Sequence, residues 1–269
     1  MNEAFVLSSA TARKLKLKRA LLFPYAYRGE EVNRYCVVEP DAVVIYPYRE
    51  GPSGNPELIP EQELKRQCPN VHAHLLLFKS QLRQRQDSRR FYANSAQWYR
   101  HLRAGSFNYI REPKLVFKAI ARKASGGLLR ENTAFDGANC PAIIAENLGE
   151  HCLNYVLGVL NSKLASYHLR GVCPPKLSGY LKYSATCLSD TPIRVINFSD
   201  KSDKAAHDRM VSTVDQMLEL HRKLAAARTP QEQAALERQI AATDGQIDRL
   251  VYDLYGLTED EIKNVEGTI

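Results

Sequence analysis

Pro40-Asp41, followed by Glu63-Leu64-Lys65, is a literal match to a catalytic pattern in this 269-residue chain. A P-D…E-x-K set uses two carboxylates to hold a divalent cation and a lysine beside the attacking water, for metal-assisted phosphodiester hydrolysis. Such sites carry the Glu and Lys on a strand, where residues two apart point the same way. Here Glu63 and Lys65 follow Pro60, at what reads as a helix start. Two helical steps turn them ~200° apart, so they could not share one site, and so short a pattern often arises by chance. No G-x-x-x-x-G-K-S/T or G-x-G-x-x-G loop is present. His72 and His74 would point to opposite sides of a helix and make a poor metal pair; His151-Cys152 lacks the further ligands of a zinc site. Cys140 has no evident histidine base and reads as a small buried thiol.

The other residues with chemical potential are cations. QLRQRQDSRRFYANSAQWYRHLR, Gln81 to Arg103, holds Arg83, Arg85, Arg89, Arg90, Arg100 and Arg103 against the single acid Asp87. Phe91, Tyr92, Trp98 and Tyr99 are interleaved with them. The planar guanidinium fork grips phosphates and guanine edges, and rings pack on sugars or bases. The competing reading puts Phe91, Trp98 and Tyr99 in a core and the arginines on a solvated face; for the rings, core packing is the expectation. From Lys79 to Lys123 there are 12 Lys/Arg and two acids, Asp87 and Glu112.

Charge is divided along the chain. Residues 1–199 carry a net +12 and residues 200–269 a net −5, within an overall +7. A positive body suits a polyanion, whereas an acidic helical tail suits solvent or a protein neighbour. No apolar run approaches the ~20 residues that span a bilayer, so no membrane role is expected. The N-terminal apolar segments are broken by the basic cluster ARKLKLKRA, unlike a signal peptide. Six cysteines lie scattered at 36, 68, 140, 152, 173 and 187, with no C-x-x-C pair. They read as reduced thiols of a cytoplasmic protein.

The elements that must position these residues follow from periodicity. Residues 35–46, YCVVEPDAVVIY, read as two short strands about a turn at Glu39-Pro40-Asp41, and 47–60 as a Pro/Gly loop. Leu64, Val71, Leu75, Phe78 and Leu82 recur on one helical face, with Pro69 splitting the run. Lys114 to Ile120 and Cys140 to Glu146 read as strands, and Glu150 to Leu169 as a helix. The tail reads as a long helix from Lys201 to Arg228, then a second opened by the capping box Thr229-Pro230-Gln231-Glu232 and stopped at Gly256. Thr258 and Glu261 open a short last helix. So short a turn between long helices predicts an antiparallel hairpin. The polar segment Asn197 to Lys204 marks the expected boundary between residues 1–199 and 200–269.

Several stretches together resemble the TaqI-like C-terminal specificity domain, the target-recognition module of type IIG restriction-modification enzymes and related adenine DNA methyltransferases. Asn2-Glu3-Ala4-Phe5 resembles the end of its "TG-x-NeAF" entry motif. FPYAYRGEEVNRYCVV, with Arg28, Gly29, Val32, Arg34 and Tyr35, resembles its "pfl-x-G-x-di-x-rY" segment. CPNVHAHLLLFKSQLRQR, Trp98-Tyr99 with REPKLVFKAI, YVLGVLNSKLASYHL, GYLKYSATCLSDTPI and VYDLYGLTEDEI resemble its later elements, in order over most of the chain. The glycine half of the entry motif is absent, as are an NPPY or DPPY tetrapeptide and a glycine-rich cofactor loop.

The expectation is a mixed α/β fold: a recognition domain of mixed sheets and packed helices at 1–199, followed by a helical hairpin and short last helix at 200–269. The resemblance implies sequence-specific binding of double-stranded DNA, with no catalytic or metal site and no cofactor in this chain. A methyltransferase using S-adenosylmethionine, and any Mg²⁺-dependent nuclease, would lie upstream, in cis or in a partner subunit. The candidate DNA contacts are Arg83, Arg85, Arg89, Arg90, Lys114, Lys118, Arg122 and Lys123, then Lys163 and Lys182 on the LNSKL and GYLKY elements. The alternatives are the metal-dependent nuclease above and a non-catalytic assembly module built on the hairpin.

Overall fold

Ala42–Ile45 buries three of its four residues and becomes an inner strand of a four-stranded sheet. It pairs antiparallel with Val6–Ser8 on one side and Leu22–Ala26 on the other. Ala134–Phe135 adds to the far edge, parallel to Leu22–Ala26. The computed structural model describes residues 2–87, 90–91, 96–144 and 152–268. The chain forms two compact units: Met1–Ala26, Glu39–Glu112 and Glu131–Phe135 make the first, and Tyr27–Val38, Pro113–Arg130 and Asp136–Ile269 the second. The architecture is mixed α/β, with small mixed and antiparallel sheets and packed helices.

In the first unit, the helical run divides as its proline dictates. Glu61–Gln67 ends at Cys68, whose φ of −137° leaves the helical region, and Pro69–Leu76 starts with Pro69 in its first turn. Lys79–Arg83 follows as a short third helix. Leu64, Val71, Leu75 and Leu82 are fully buried, packing with the sheet in one core that also takes in Trp98 and Tyr99. The expected 47–60 loop contains a hairpin instead, Tyr48–Glu50 against Pro56–Leu58. The two strands expected to flank Glu39-Pro40-Asp41 both exist but do not pair with each other: Cys36–Val37 joins Val32–Asn33 in the second unit.

In the second unit, Lys114–Phe117 is the central strand of an antiparallel sheet, between Gly126–Leu129 and Ala142–Ile144. All four of its residues are buried, which explains the weak alternation of KLVF. Gly126 has no room for a side chain: a Cβ there would lie 2.3 Å from the Phe117 ring. The helix expected over 150–169 is two helices, Leu153–Asn161 and Lys163–Val172. Ser162 separates them with an extended backbone, and its hydroxyl accepts from the Ala165 N–H. Asn161 turns back to clamp Gly126, accepting from its N–H (2.8 Å) and donating to its carbonyl (2.9 Å).

The tail follows its sequence signals closely. Lys201–Ala226 and Pro230–Tyr255 pack together as a hairpin, turned by residues 227–229. Thr229 Oγ1 caps the second helix at Glu232 N, and Gly256 ends it at φ +66°. Thr258 and Glu261 cap Glu259–Thr268 reciprocally. The boundary is a different matter. Met210, Val214, Met217, Ile247 and Val251 are buried in the same cluster as Tyr155, Leu157 and Leu160, so residues 200–269 are part of the second unit. A Cβ at Gly158 would come 2.7 Å from Met210 Sδ, the closeness of two helices packed backbone to side chain. Arg34 reinforces the join, donating to Asp244 (2.6 Å) and to the Asn161 carbonyl (2.8 Å). The apolar seam of the hairpin thus packs on helices of its own unit.

Candidate nucleic-acid interface

The ten cations named from the sequence have different fates. Arg85 is buried, not presented: Nε donates to the Leu82 carbonyl (3.0 Å), and Nη2 to those of Trp98 (2.8 Å) and Arg100 (2.7 Å). Its guanidinium also lies 5.4 Å from the Phe5 ring centroid. The fork here gathers backbone carbonyls in the first unit, in a residue only 5 % exposed. Lys114 is fully buried within its strand and cannot reach DNA. Lys163 is half-buried and paired within the second unit, with Nζ 2.8 Å from Glu266 and 3.6 Å from Asp248. Hydrogen bonding to Glu266 raises its pKa against the opposing effect of burial. Arg83 is exposed in the last turn of its helix. Arg89 and Tyr92, and the side chains of Arg90 and Phe91, lie outside the described residues. Trp98 and Tyr99 are core residues, with Trp98 Nε1 donating to Glu61 and the Tyr99 hydroxyl to the Ile59 carbonyl.

Of the remaining four cations, Arg122 and Lys182 lie on one small ribbon and Lys118 and Lys123 flank it. Ile120–Ala121 pairs antiparallel with Leu181–Lys182, Ile120 opposite Lys182 and Ala121 opposite Leu181. The ladder extends at one end, where Tyr183 N donates to the Ala119 carbonyl, and Pro175 bridges Leu181 on the opposite edge of its strand. Strand alternation then sorts the side chains. Ala119, Ala121, Leu181 and Tyr183 point inward and are buried. Ile120, Arg122, Tyr180 and Lys182 are exposed on the other face. Arg122 lies 5.1 Å from the Tyr180 ring centroid, which pre-orients its guanidinium. Lys118 and Lys123, both half-buried, flank the first strand. Lys118 closes a turn by donating its backbone N–H to the Ser125 carbonyl.

The connection into the second strand was not singled out from the sequence. Residues 174–180, PPKLSGY, are exposed throughout, and Lys176 adds a cation at their centre. Neither 113–130 nor 167–189 contains an Asp or Glu. That acid-free pairing of segments far apart in the chain is visible once the strands are paired. A two-stranded ribbon has the width to enter a major groove, and this one offers cations, a ring and an apolar side chain on its outer face.

A second basic surface lies in the first unit. Arg13, Lys16 and Arg19 line a shallow pocket with Ser9, Leu17, Leu22 and Val43. The signal was present in ARKLKLKRA, but it served only to exclude a signal peptide.

The nuclease pattern does not assemble as a pair. Glu63 and Lys65 are on the Glu61–Gln67 helix, where Glu63 accepts from Arg49 (3.2 Å) and Gln67 (3.1 Å) while Lys65 is exposed. Among the described residues, no group of three His, Cys, Asp or Glu is arranged to hold a metal ion. His72 bonds Glu61 at 3.1 Å. Among the described residues, no helix is long and apolar enough to cross a membrane. Compared with known proteins, the chain matches no family model and no curated sequence.

Proposed function

We propose that this chain is a recognition module for double-stranded DNA that positions an adenine methyltransferase, and a nuclease where one is attached, acting in the cytoplasm. The observation that carries the reading is the acid-free outer face of the 120–122/180–182 ribbon, with Arg122, Lys182 and Tyr180 side by side. Phosphate contacts from Lys118, Lys123, Lys176 and Lys182 would set register, and Arg122 would read a guanine edge. The sequence resemblance to TaqI-like specificity domains supports the same reading from the order of its motifs. In this reading S-adenosylmethionine and Mg²⁺ serve the catalytic part, supplied in cis or by a partner subunit, and this chain contributes binding and orientation.

The test is duplex binding by the isolated chain across a salt series. The module should bind weakly and with little sequence preference, because catalytic-domain contacts are absent. Affinity should fall steeply with salt, at a slope of about −0.9 per phosphate contacted. Binding that ignores salt, or Mg²⁺-dependent cleavage lost in Asp41→Ala or Glu63→Ala, would overturn the reading.

A further inference from the structure

Leu177 is 90 % exposed at the outermost turn of the loop that feeds the ribbon. A lone surface leucine needs no explanation; the way this one is held does. Pro174 and Pro175 stiffen the approach. Lys176 N donates to the Tyr180 carbonyl (2.7 Å), Tyr180 N to the Leu177 carbonyl (3.3 Å), and Lys182 N to the Pro174 carbonyl (2.9 Å). Ser178 and Gly179 both take left-handed backbone, at φ 59° and 75°, closing the turn tightly. The non-glycine member is an uncommon conformation, held by the hydrogen bonds around it. Leu177 therefore projects from a closed, cross-braced turn, and a collapse onto its own surface would break those bonds. Its neighbours are Lys176 in sequence and, across the turn, Tyr180 with Arg122.

We propose that Leu177 is a wedge that inserts between stacked base pairs of the bound duplex and bends it. The proposal rests on the DNA-binding reading and deepens it. Apolar side chains on basic scaffolds act in this way, with cations anchoring the flanking phosphates while the wedge opens one step. Pyrimidine–purine steps are the cheapest to open, so TA and CA/TG steps are the preferred points of entry. Here Lys176 and Lys182 supply the anchors around a single leucine, with Arg122 beside them on the ribbon. A hydrophilic peptide or a lipid surface would have no need of so narrow and rigid an apolar point.

The full chain is titrated at low salt with duplexes carrying 2-aminopurine beside a TA, CA or GC step, and with end-labelled duplexes that report bending by energy transfer. Wild type should raise 2-aminopurine emission at least about twofold at a flexible step and shorten the end-to-end distance. Leu177→Ser should keep the salt slope and most of the affinity but lose both signals, and Leu177→Phe should retain them. Because residue 177 is exposed, neither change should alter the unfolding midpoint. Wild-type binding with unchanged emission at every step, or equal signals from Leu177→Ser, would overturn the wedge and leave the DNA-binding reading standing. Failure of wild type to bind any duplex would sink both.

Discussion

The Arg122 guanidinium lies 5.1 Å from the centre of the Tyr180 ring, across a two-stranded ribbon whose outer face carries no acid. A stacked arginine has lost part of its rotamer freedom before any ligand arrives, so less is lost on binding. Arg122→Ala should weaken duplex binding and cut the salt slope by about one unit if the contact is to phosphate. If Arg122 reads guanine, relaxed preference at one base pair, worth ~1–3 kcal/mol, should appear in the full parent enzyme. Tyr180→Phe keeps the ring and should change neither quantity. Competition binding with single-base variants separates the two cases.

Arg85 should behave as a structural residue. Its removal takes the side-chain donors from the carbonyls of Trp98 and Arg100 and one of those serving Leu82. Arg85→Met should destabilise the protein by roughly 2–4 kcal/mol. Arg83→Ala, two residues away on the surface, should stay within about 0.5 kcal/mol. Urea denaturation of both variants reads this directly. Equal, small effects would show that Arg85 is free to do something else.

The hairpin is a further point of decision. Gly158→Ala must displace Met210 or Val214, which a new Cβ would meet at 2.7 and 3.0 Å. A loss of about 1–3 kcal/mol is expected. Ending the chain at Ser199 should unfold the second unit, because Met210, Val214, Met217, Ile247 and Val251 leave its core. Limited proteolysis of the shortened chain should show rapid cleavage in 153–172. A stable, protected fragment there would restore the tail as a separable body.

His101 gives a pH signature in the first unit. Burial holds its imidazole down at about 4, against the opposing influence of its bond to the Ile45 carbonyl. Its Nε2 lies 2.8 Å from that carbonyl, and the ring packs on Phe5 (4.4 Å) and near Tyr46 and Tyr48. The folded pKa is depressed below the unfolded value of about 6.5. The unfolded chain therefore takes up the proton first as pH falls. The stabilisation is full above pH ~6.5 and is lost progressively down to about 4, amounting to roughly 2–3 kcal/mol. Stability curves between pH 4 and 7.5 should flatten over that window in His101→Gln. An unchanged pH dependence would place the imidazole in water.

Helix signals and caps were legible because they are local: Pro69, Thr229, Gly256 and the Thr258/Glu261 pair each act within a turn of their own position. The mixed α/β class followed from the same signals. Ser162 was missed because an N-cap inside an apolar run leaves the period almost undisturbed. The hairpin 48–58 was missed because Pro and Gly mark turns whether or not strands flank them. The site was harder for a physical reason. Charge identifies a cation but not its neighbours: Arg85 and Lys114 are buried, and Lys163 is paired with carboxylates of its own chain. Lys182 and Arg122 come together through strand pairing between residues 60 apart in sequence. Tyr180 and Leu177 gain meaning only from that pairing. The change in net charge at 199/200 marks a surface, whereas the core continues beneath it.

The central claim is that the 120–122/180–182 ribbon is the DNA-contacting face. The most direct measurement is duplex affinity across a salt series for Arg122→Glu/Lys182→Glu, set against the control Lys114→Met, which alters a buried cation. The double reversal should abolish binding at moderate salt and reduce the salt slope by about two or more units, with the fold intact by circular dichroism. Lys114→Met should bind as wild type once its folded fraction is taken into account. A double reversal that binds with wild-type affinity and wild-type slope would contradict the account.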